Sequence, residues 1–256
     1  MVGPIHEKSV VLVTGGASGL GRAAVENFHA EGFAVVIMDL PASNGAKLSQ
    51  SMGDDVRFSP GDVTVVADVA LAVQTAQSQG NLRIAVAAAG IGPPAKLFDD
   101  DGPGSAEKVR STFDVNLLGS YNVLAIAGHA MSRNEAVGGD RGVIMLTASV
   151  AAFDGQIGHV AYAAAKAGVA GMALPAAREL ARFGVRVVGV APGLFDTPLL
   201  ASMPEKARTS AAAQVPYPSR LGHPREFAAL LGHIASNKML NGEVIRLDGA
   251  VRLPPR

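Results

Sequence analysis

The sequence contains no cysteine, so disulfide frameworks, cysteine-ligated zinc, iron–sulfur clusters and thiol nucleophiles are excluded together. It also carries no net charge, because 22 Lys and Arg balance 22 Asp and Glu. That balance removes the electrostatic footprint of a nucleic-acid or acidic-membrane binder. The apolar run from Ile84 to Ala95 is broken by Gly90, Gly92, Pro93 and Pro94 and falls short of the ~20 residues of a membrane span. Met1 to Lys8 lacks the basic start and long apolar stretch of a secretory signal and the Arg-rich character of a transit peptide. A cytoplasmic protein with neither membrane nor nucleic-acid partners is the expectation. The six histidines, His6, His29, His129, His159, His223 and His233, show no metal-ligand spacing, and there is no Gly-x-Ser-x-Gly elbow. No metal is expected.

What remains is apolar and rich in turns. Hydrophobic residues make up 48% and charged residues 17% of 256 residues, with 30 Gly and 15 Pro, a composition too apolar for disorder. With no repeat and no linker, residues 1–256 read as one domain. Short runs rich in Val and Ile predict strands at Ser9 to Thr14, Ala34 to Met38, Val56 to Phe58, Ile84 to Ala88, Val143 to Thr147, Val185 to Val190 and Glu243 to Leu247. These runs are continuous rather than alternating, as expected of strands buried on both faces of a parallel sheet. Helices are expected between them, at Gly19 to Ala30, Ala42 to Met52, Val65 to Gln79, Ser105 to Arg133, His159 to Arg182 and Pro224 to Ala235. The fold class is α/β: a single-domain, doubly wound, seven-stranded parallel sheet flanked by helices, of the Rossmann type. The long irregular stretch from Pro192 to Gly222 reads as a lid over residues 193–222.

Directly after the first strand comes Thr14-Gly15-Gly16-Ala17-Ser18-Gly19-Leu20-Gly21. Glycines at a strand-to-helix turn let the backbone approach a pyrophosphate, and the free N–H groups and positive end of the helix stabilise its charge. Gly16 to Gly21 has the spacing of a P-loop, but Arg22 and Ala23 stand where Lys and Ser or Thr are required, which rules out an NTPase. Asp39 ends the second strand where a carboxylate accepts hydrogen bonds from an adenosine ribose and repels a 2′-phosphate, favouring NAD over NADP; its other reading is a helix N-cap. Asp62 and Val63 follow the third strand at the same edge, placed to meet adenine, although Asp62 also reads as an ordinary turn residue.

Tyr162 and Lys166 stand at i and i+4, hence on one helix face. A nearby cation depresses a phenol's pKa, making proton exchange with a hydroxyl or ketone accessible near neutral pH. Ser149 follows the fifth strand at the ligand-binding edge, where its hydroxyl can hold a substrate oxygen, and Asn116 lies in the helix after the fourth strand. His159 precedes Tyr162 by three residues and reads as a half-exposed residue at the helix start.

Taken together, the Thr14 to Gly21 turn, Asp39, Asp62, Asn116, Ser149, Tyr162, Lys166 and Pro192-Gly193 resemble the short-chain dehydrogenase/reductase family across essentially the whole chain. The resemblance implies a catalytic tetrad: Tyr162 as acid and base, Ser149 orienting the substrate oxygen, Lys166 on the nicotinamide ribose and lowering the tyrosine pKa, and Asn116 holding a relay water. It places Gly15, Ser18, Gly19, Leu20, Gly21, Val63, Ala88 and Gly90 along the cofactor, with Pro192, Gly193, Phe195 and Thr197 at its nicotinamide end. Within the family, the segments Thr147 to Phe153, Ala191 to Phe195, Gln214 to Gly222 and Asn241 to Gly249 are similar to members that act on 3-hydroxyacyl-CoA and on hydroxysteroids. That likeness implies NAD-dependent interconversion of (S)-3-hydroxyacyl-CoA and 3-oxoacyl-CoA by a homotetramer, with Leu194 and Leu199 lining the substrate site. A hydroxysteroid or other secondary alcohol is the alternative substrate, and a non-catalytic NAD-bound sensor or scaffold the alternative class. Two departures stand out. Ala87-Ala88-Ala89-Gly90 replaces the family's Asn-Ala-Gly-type segment, and Asp99-Asp100-Asp101 would repel a CoA phosphate.

Overall fold

The computed structural model describes residues 9–100, 102–201 and 205–255. Strands β1 (Ser9–Thr14), β2 (Ala34–Asp39), β3 (Val56–Pro60), β4 (Asn81–Ala87), β5 (Gly142–Thr147), β6 (Val185–Pro192) and β7 (Val244–Leu247) form one sheet in the order β3-β2-β1-β4-β5-β6-β7. Every neighbouring pair is parallel. β1, β5 and β6 are buried throughout, which is why their sequences are uninterrupted by polar alternation.

Helices cover both faces. Val10 and Leu12 of β1 join Val123, Ala127 and Met131 of α5 (Gly119–Ser132) in one core layer, with α3 (Val66–Gln79) and α6 (Val160–Ala181) completing it. Val11 and Val13 face the other layer, with Phe28 of α1 (Gly19–Ala30) and Phe227, Leu231 and Ile234 of α9 (Pro224–Ser236). The chain runs from β1 outward to β3 and then returns to β4 beside β1. The loops after β1 and β4 therefore diverge, opening a crevice at the carboxyl edge of the sheet.

Several boundaries differ from the sequence reading. The long helix expected over Ser105 to Arg133 is α4 (Ala106–Phe113), a π-turn over Asp114–Leu118, and α5. Asn116 sits in that π-turn, where its side chain binds the Thr112 and Ile91 carbonyls, an insertion of the kind that marks functional helices. The helix expected from Ala42 begins at Gly45, as α2 (Gly45–Met52), because Leu40 to Asn44 form a turn closed by Ser43. The stretch from Pro192 to Gly222 is not irregular throughout: it holds α7 (Pro198–Ala201) and α8 (Glu205–Ala213). After Pro94, Phe98–Asp99 pairs with Gly102–Pro103 in a small ladder. Among the described residues one helix, α6, has the length and apolar composition of a membrane span. In this fold it packs on β6 and the turn after β5 and carries a buried lysine.

Candidate active site

The glycine turn closes against the start of the loop after β4. Gly15 adopts φ +66°, and a Cβ there would stand 2.7 Å from the Ala89 nitrogen; one on Gly21 would collide with the Gly15 carbonyl oxygen. These positions have no room for a side chain, so the backbone is bare where a ligand would lie on it. Ser18 is the N-cap of α1 in extended conformation and makes no side-chain capping bond, which leaves the first amides of the helix, from Gly19 onward, to an external acceptor. The Thr14 hydroxyl accepts a hydrogen bond from Ala89 N at 3.4 Å and donates to the Val86 carbonyl, joining β1 to β4 where the alanine segment supplies no polar side chain.

Asp39 reaches across this turn. Its carboxylate accepts from Ala17 N at 2.9 Å and Leu40 N at 2.8 Å, while the N-cap of α2 is Asn44. The helix-cap reading of Asp39 is therefore set aside. Asp62 accepts from Thr64 N at 2.8 Å in a turn of its own. Val63 is buried, its carbonyl held by Asn122 Nδ2 at 2.9 Å, and Gly119 allows the close approach, since a Cβ there would lie 2.6 Å from Val63.

The second half of the site hangs from β5 and α6. Ser149, two residues beyond β5, caps the short turn Val150–Ala152, accepting from Ala151 N at 3.1 Å. It also hydrogen-bonds the Tyr162 side chain. Lys166 lies one turn further along α6 and is only 4% exposed; its Nζ is 5.8 Å from the Tyr162 ring centroid and donates to the Thr147 carbonyl at 2.8 Å. Burial pulls its pKa down to about 8. The sequence reading expected the lysine to depress the phenol's pKa. Here burial instead pushes Tyr162 above its ordinary value, outweighing the lowering by the Ser149 hydrogen bond, because a phenolate loses solvation inside the protein. The His159 ring stands edge-on to Tyr162, with centroids 6.4 Å apart, and the residue is half-buried at the start of α6.

Asn116 is fully buried and grips Ile91 in both directions: its Oδ1 accepts from Ile91 N at 3.1 Å, and its Nδ2 donates to the Ile91 carbonyl at 2.8 Å. A Cβ on Gly90 would come within 2.6 Å of Asn116 Oδ1 and 3.4 Å of Lys166 Nζ. The loop after β4 is thus threaded between the tetrad residues and the glycine turn, with Ala88 bonded to the Thr14 carbonyl.

The segment 193–222 leaves β6 at Pro192-Gly193 and returns beside its own start. Gly222 N donates to Leu194 O at 2.8 Å and Asp196 N to Gly222 O at 2.9 Å. Phe195 is turned into the core against Gly222, so only its backbone is available to a cofactor. Thr197 faces the glycine turn: its Cβ would lie 3.7 Å from a Cβ on Gly19. Leu194 is half-buried. Leu199 lies in α7, its side chain outside the described residues, as are those of Asp99 and Asp101; Asp100 is exposed.

The structure therefore gathers the residues singled out in the sequence at one edge of the sheet, and adds some that the sequence did not signal. The Thr147 carbonyl and the Asn122 amide act through contacts 19 and 59 residues away in the chain, with no local pattern to reveal them.

A glycine-walled crevice at a topological switch point, a bare helix N-terminus and a half-buried Ser–Tyr pair beside a buried lysine define a nucleotide-dependent oxidoreductase of the doubly wound class. The chain belongs to the short-chain dehydrogenase family, whose model matches residues 9–208. It is 47% identical over 253 residues to 3-hydroxyacyl-CoA dehydrogenase type-2 of Drosophila melanogaster, covering 97% of this chain and 99% of the relative. It is 48% identical over 250 residues to the protein of the same name from Homo sapiens, covering 96% of each. A crystal structure of 3-hydroxyacyl-CoA dehydrogenase type-2 from Mycobacterium avium superposes with a TM-score of 0.93 at 42% identity, covering 97% of this chain and 98% of that one. The chain is accordingly an oxidoreductase that interconverts a secondary alcohol and a ketone on a small-molecule substrate with a nicotinamide cofactor.

Proposed function

We propose that the chain is NAD-dependent and that its substrate pair is (S)-3-hydroxyacyl-CoA and 3-oxoacyl-CoA. The observation that carries the substrate assignment is the near-full-length identity of 47–48% to two animal enzymes of that name. NAD over NADP rests on Asp39, whose carboxylate already faces the Ala17 amide where an adenosine 2′-phosphate would meet like charge.

In this reading Gly15, Ser18, Gly19, Leu20 and Gly21 hold the pyrophosphate, Asp39 the adenosine ribose, and Asp62 and Val63 the adenine. Ala88, Gly90, Pro192, Gly193, Thr197 and the Phe195 backbone flank the remainder, and Leu194 and Leu199 border the substrate. When bound, the cofactor supplies a hydride for ketone reduction and accepts one in alcohol oxidation. Ser149 donates to the substrate oxygen and holds it beside Tyr162. Because burial keeps the phenol protonated, Tyr162 is set to deliver its proton to the oxygen of a ketone under reduction; in the reverse direction it must first release that proton to solvent through the relay, and the tyrosinate then takes one from the alcohol. Lys166, cationic below about pH 8, supports the tyrosinate and binds the nicotinamide ribose. Asn116 fixes the loop after β4 and orders a water for proton relay.

A hydroxysteroid or other secondary alcohol is the second reading. Exposed Asp100, in the segment after Pro94, is the wrong charge for the phosphates of CoA, whereas Leu97 and Phe98 beside it are exposed and apolar. A homotetramer is also proposed, supported by exposed Leu118 and Tyr121 on one side of α5 and the π-turn before it; light scattering of the purified protein checks it. The substrate test compares NADH-linked reduction of acetoacetyl-CoA with oxidation of estradiol and simple secondary alcohols, repeating each with the NADP couple. Turnover of the CoA ester with NADH is expected; turnover of the steroid alone would discard the CoA assignment.

A further inference from the structure

The segment between Ser149 and Tyr162 joins the two residues assigned above to the substrate oxygen, as one wall of that site, and its anchors come from the far end of the chain. Arg246, in β7, donates through Nη2 to Asp154 Oδ2 at 2.6 Å and to the Val251 carbonyl at 3.0 Å, and through Nε to Asp248 Oδ2 at 2.8 Å. Its guanidinium also lies 5.1 Å from the Phe153 ring centroid. Asp248 is held in turn by Arg252 at 3.2 Å and accepts from Ala250 N. Two further bonds run from the wall to the last residues described: Gln156 Nε2 to the Pro254 carbonyl at 3.2 Å and Ile157 N to the Pro255 carbonyl at 3.0 Å.

The same cluster touches the root of the lid. A Cβ on Gly193 would lie 2.8 Å from Asp248, and Gly193 N donates to Leu247 O. On its other side the wall meets the loop after β4, where Ala95 N donates to Gly158 O at 2.8 Å and Ala95 pairs with His159 in an isolated parallel bridge. Two arginines and two aspartates make the cluster neutral. Arg246 and Asp154 are each about four-fifths covered, with side-chain exposures of 22% and 19%, so their pairing is shielded more than a surface ion pair would be. None of these residues is required to build the sheet, whose β7 register with β6 is set by backbone bonds.

We propose that Arg246 is a positioning residue: with the tail Val251–Pro255 it forms a strap across residues 153–158 that holds the Ser149–Tyr162 pair at the spacing the substrate oxygen requires. The strap links that wall to the root of the lid, so both sides of the substrate crevice are set by one guanidinium. This rests on the assignment of the substrate oxygen to Ser149 and Tyr162 made above. The adenosine half of the cofactor crevice, at the ends of β1 and β2, lies outside the strap, whereas its nicotinamide end meets the strap at Gly193.

The test uses the full chain, Arg246→Ala, Arg246→Lys, and a chain ending at Arg252 that lacks the Pro254 and Pro255 carbonyls. The KM for whichever ketone the wild type reduces is expected to rise about 10-fold in Arg246→Ala and in the shortened chain, since a displaced wall offers the substrate oxygen one hydrogen bond fewer. The Kd for NADH, held mainly at the glycine turn and Asp39, should change by less than about 3-fold in both. Arg246→Lys should restore part of the loss, because an ammonium can pair one carboxylate but cannot bridge two. Hydrogen exchange at the Ile157 amide, measured without substrate, should quicken at least about 10-fold in the shortened chain as its acceptor is removed. Unchanged ketone KM in both variants, with only a lower melting temperature, would overturn the proposal and leave the cluster purely structural. If Arg246→Ala does not fold, the shortened chain decides by the same criteria. A wild type that reduces no ketone would overturn the functional reading instead, and Ile157 exchange, which needs no turnover, still decides the strap: unchanged protection would refute it.

Discussion

Lys166 and Thr147, 19 residues apart, are joined by a buried 2.8 Å hydrogen bond from Nζ to the carbonyl oxygen. Thr147 ends the strand from which Ser149 hangs, and Lys166 sits one turn beyond Tyr162 on α6. The bond thus ties the strand end that carries Ser149 to the helix that carries Tyr162 and sets a cation beside the phenol.

Replacing Lys166 separates these two duties from the fold. Lys166→Met keeps the volume and removes a buried charge, leaving one carbonyl unpaired. Activity should fall by about 10²–10⁴, the usual contribution of acid–base machinery, while stability changes by no more than about 1–3 kcal/mol. Steady-state kinetics and urea unfolding on the same preparation check both.

The lowered pKa of Lys166 also predicts the pH dependence of stability without cofactor. Its folded value of about 8 lies below its ordinary 10.5, so between those limits the unfolded chain binds the extra proton and stability rises with pH. Below pH 8 both states are protonated and the cost of burying the ammonium is fully present. Tyr162 acts in the opposite sense above its ordinary 10.0: the folded protein retains a proton that the unfolded chain releases, and stability falls. Urea unfolding across this range should show the rise in wild type and lose it in Lys166→Met.

Gly21→Ala would drive a Cβ into the Gly15 carbonyl. The turn must shift, at a cost of about 1–3 kcal/mol for overpacking, and with it the backbone proposed above to hold the pyrophosphate. NADH binding, followed by fluorescence titration, should weaken by at least about 10-fold, well beyond the accompanying drop in melting temperature.

Asp39→Ser removes the carboxylate that would repel a 2′-phosphate and also frees Ala17 N. The ratio of kcat/KM for NADH over NADPH should fall by about 10-fold or more. An unchanged ratio would show that Asp39 serves only to brace the glycine turn.

The order and type of strands were legible because a doubly wound sheet buries its strands on both faces, so β1 and β5 appear as apolar runs and β6 as one interrupted only by the buried Arg186. The glycine turn and the Tyr162–Lys166 pair were legible because their geometry is local: one turn of backbone, one turn of helix. What the sequence hid is non-local. Nothing near Asn116 signals that its amide would clasp Ile91 and open a π-turn in an otherwise helical run. The direction of the Tyr162 shift depends on burial, which the spacing to Lys166 cannot disclose. The same holds for Arg246 and Asp154, 92 residues apart. The lid's short helices were missed because α7 spans only Pro198–Ala201 and α8 is poor in apolar periodicity.

The most direct test of the central claim is ketone reduction by Tyr162→Phe, measured as NADH consumption alongside NADH binding. The variant keeps the ring and its packing and removes only the proton donor. The account predicts NADH affinity within about 2-fold of wild type and a turnover rate lower by about 10³-fold or more. Turnover at close to the wild-type rate would contradict it and move the proton transfer away from the Ser149–Tyr162–Lys166 cluster.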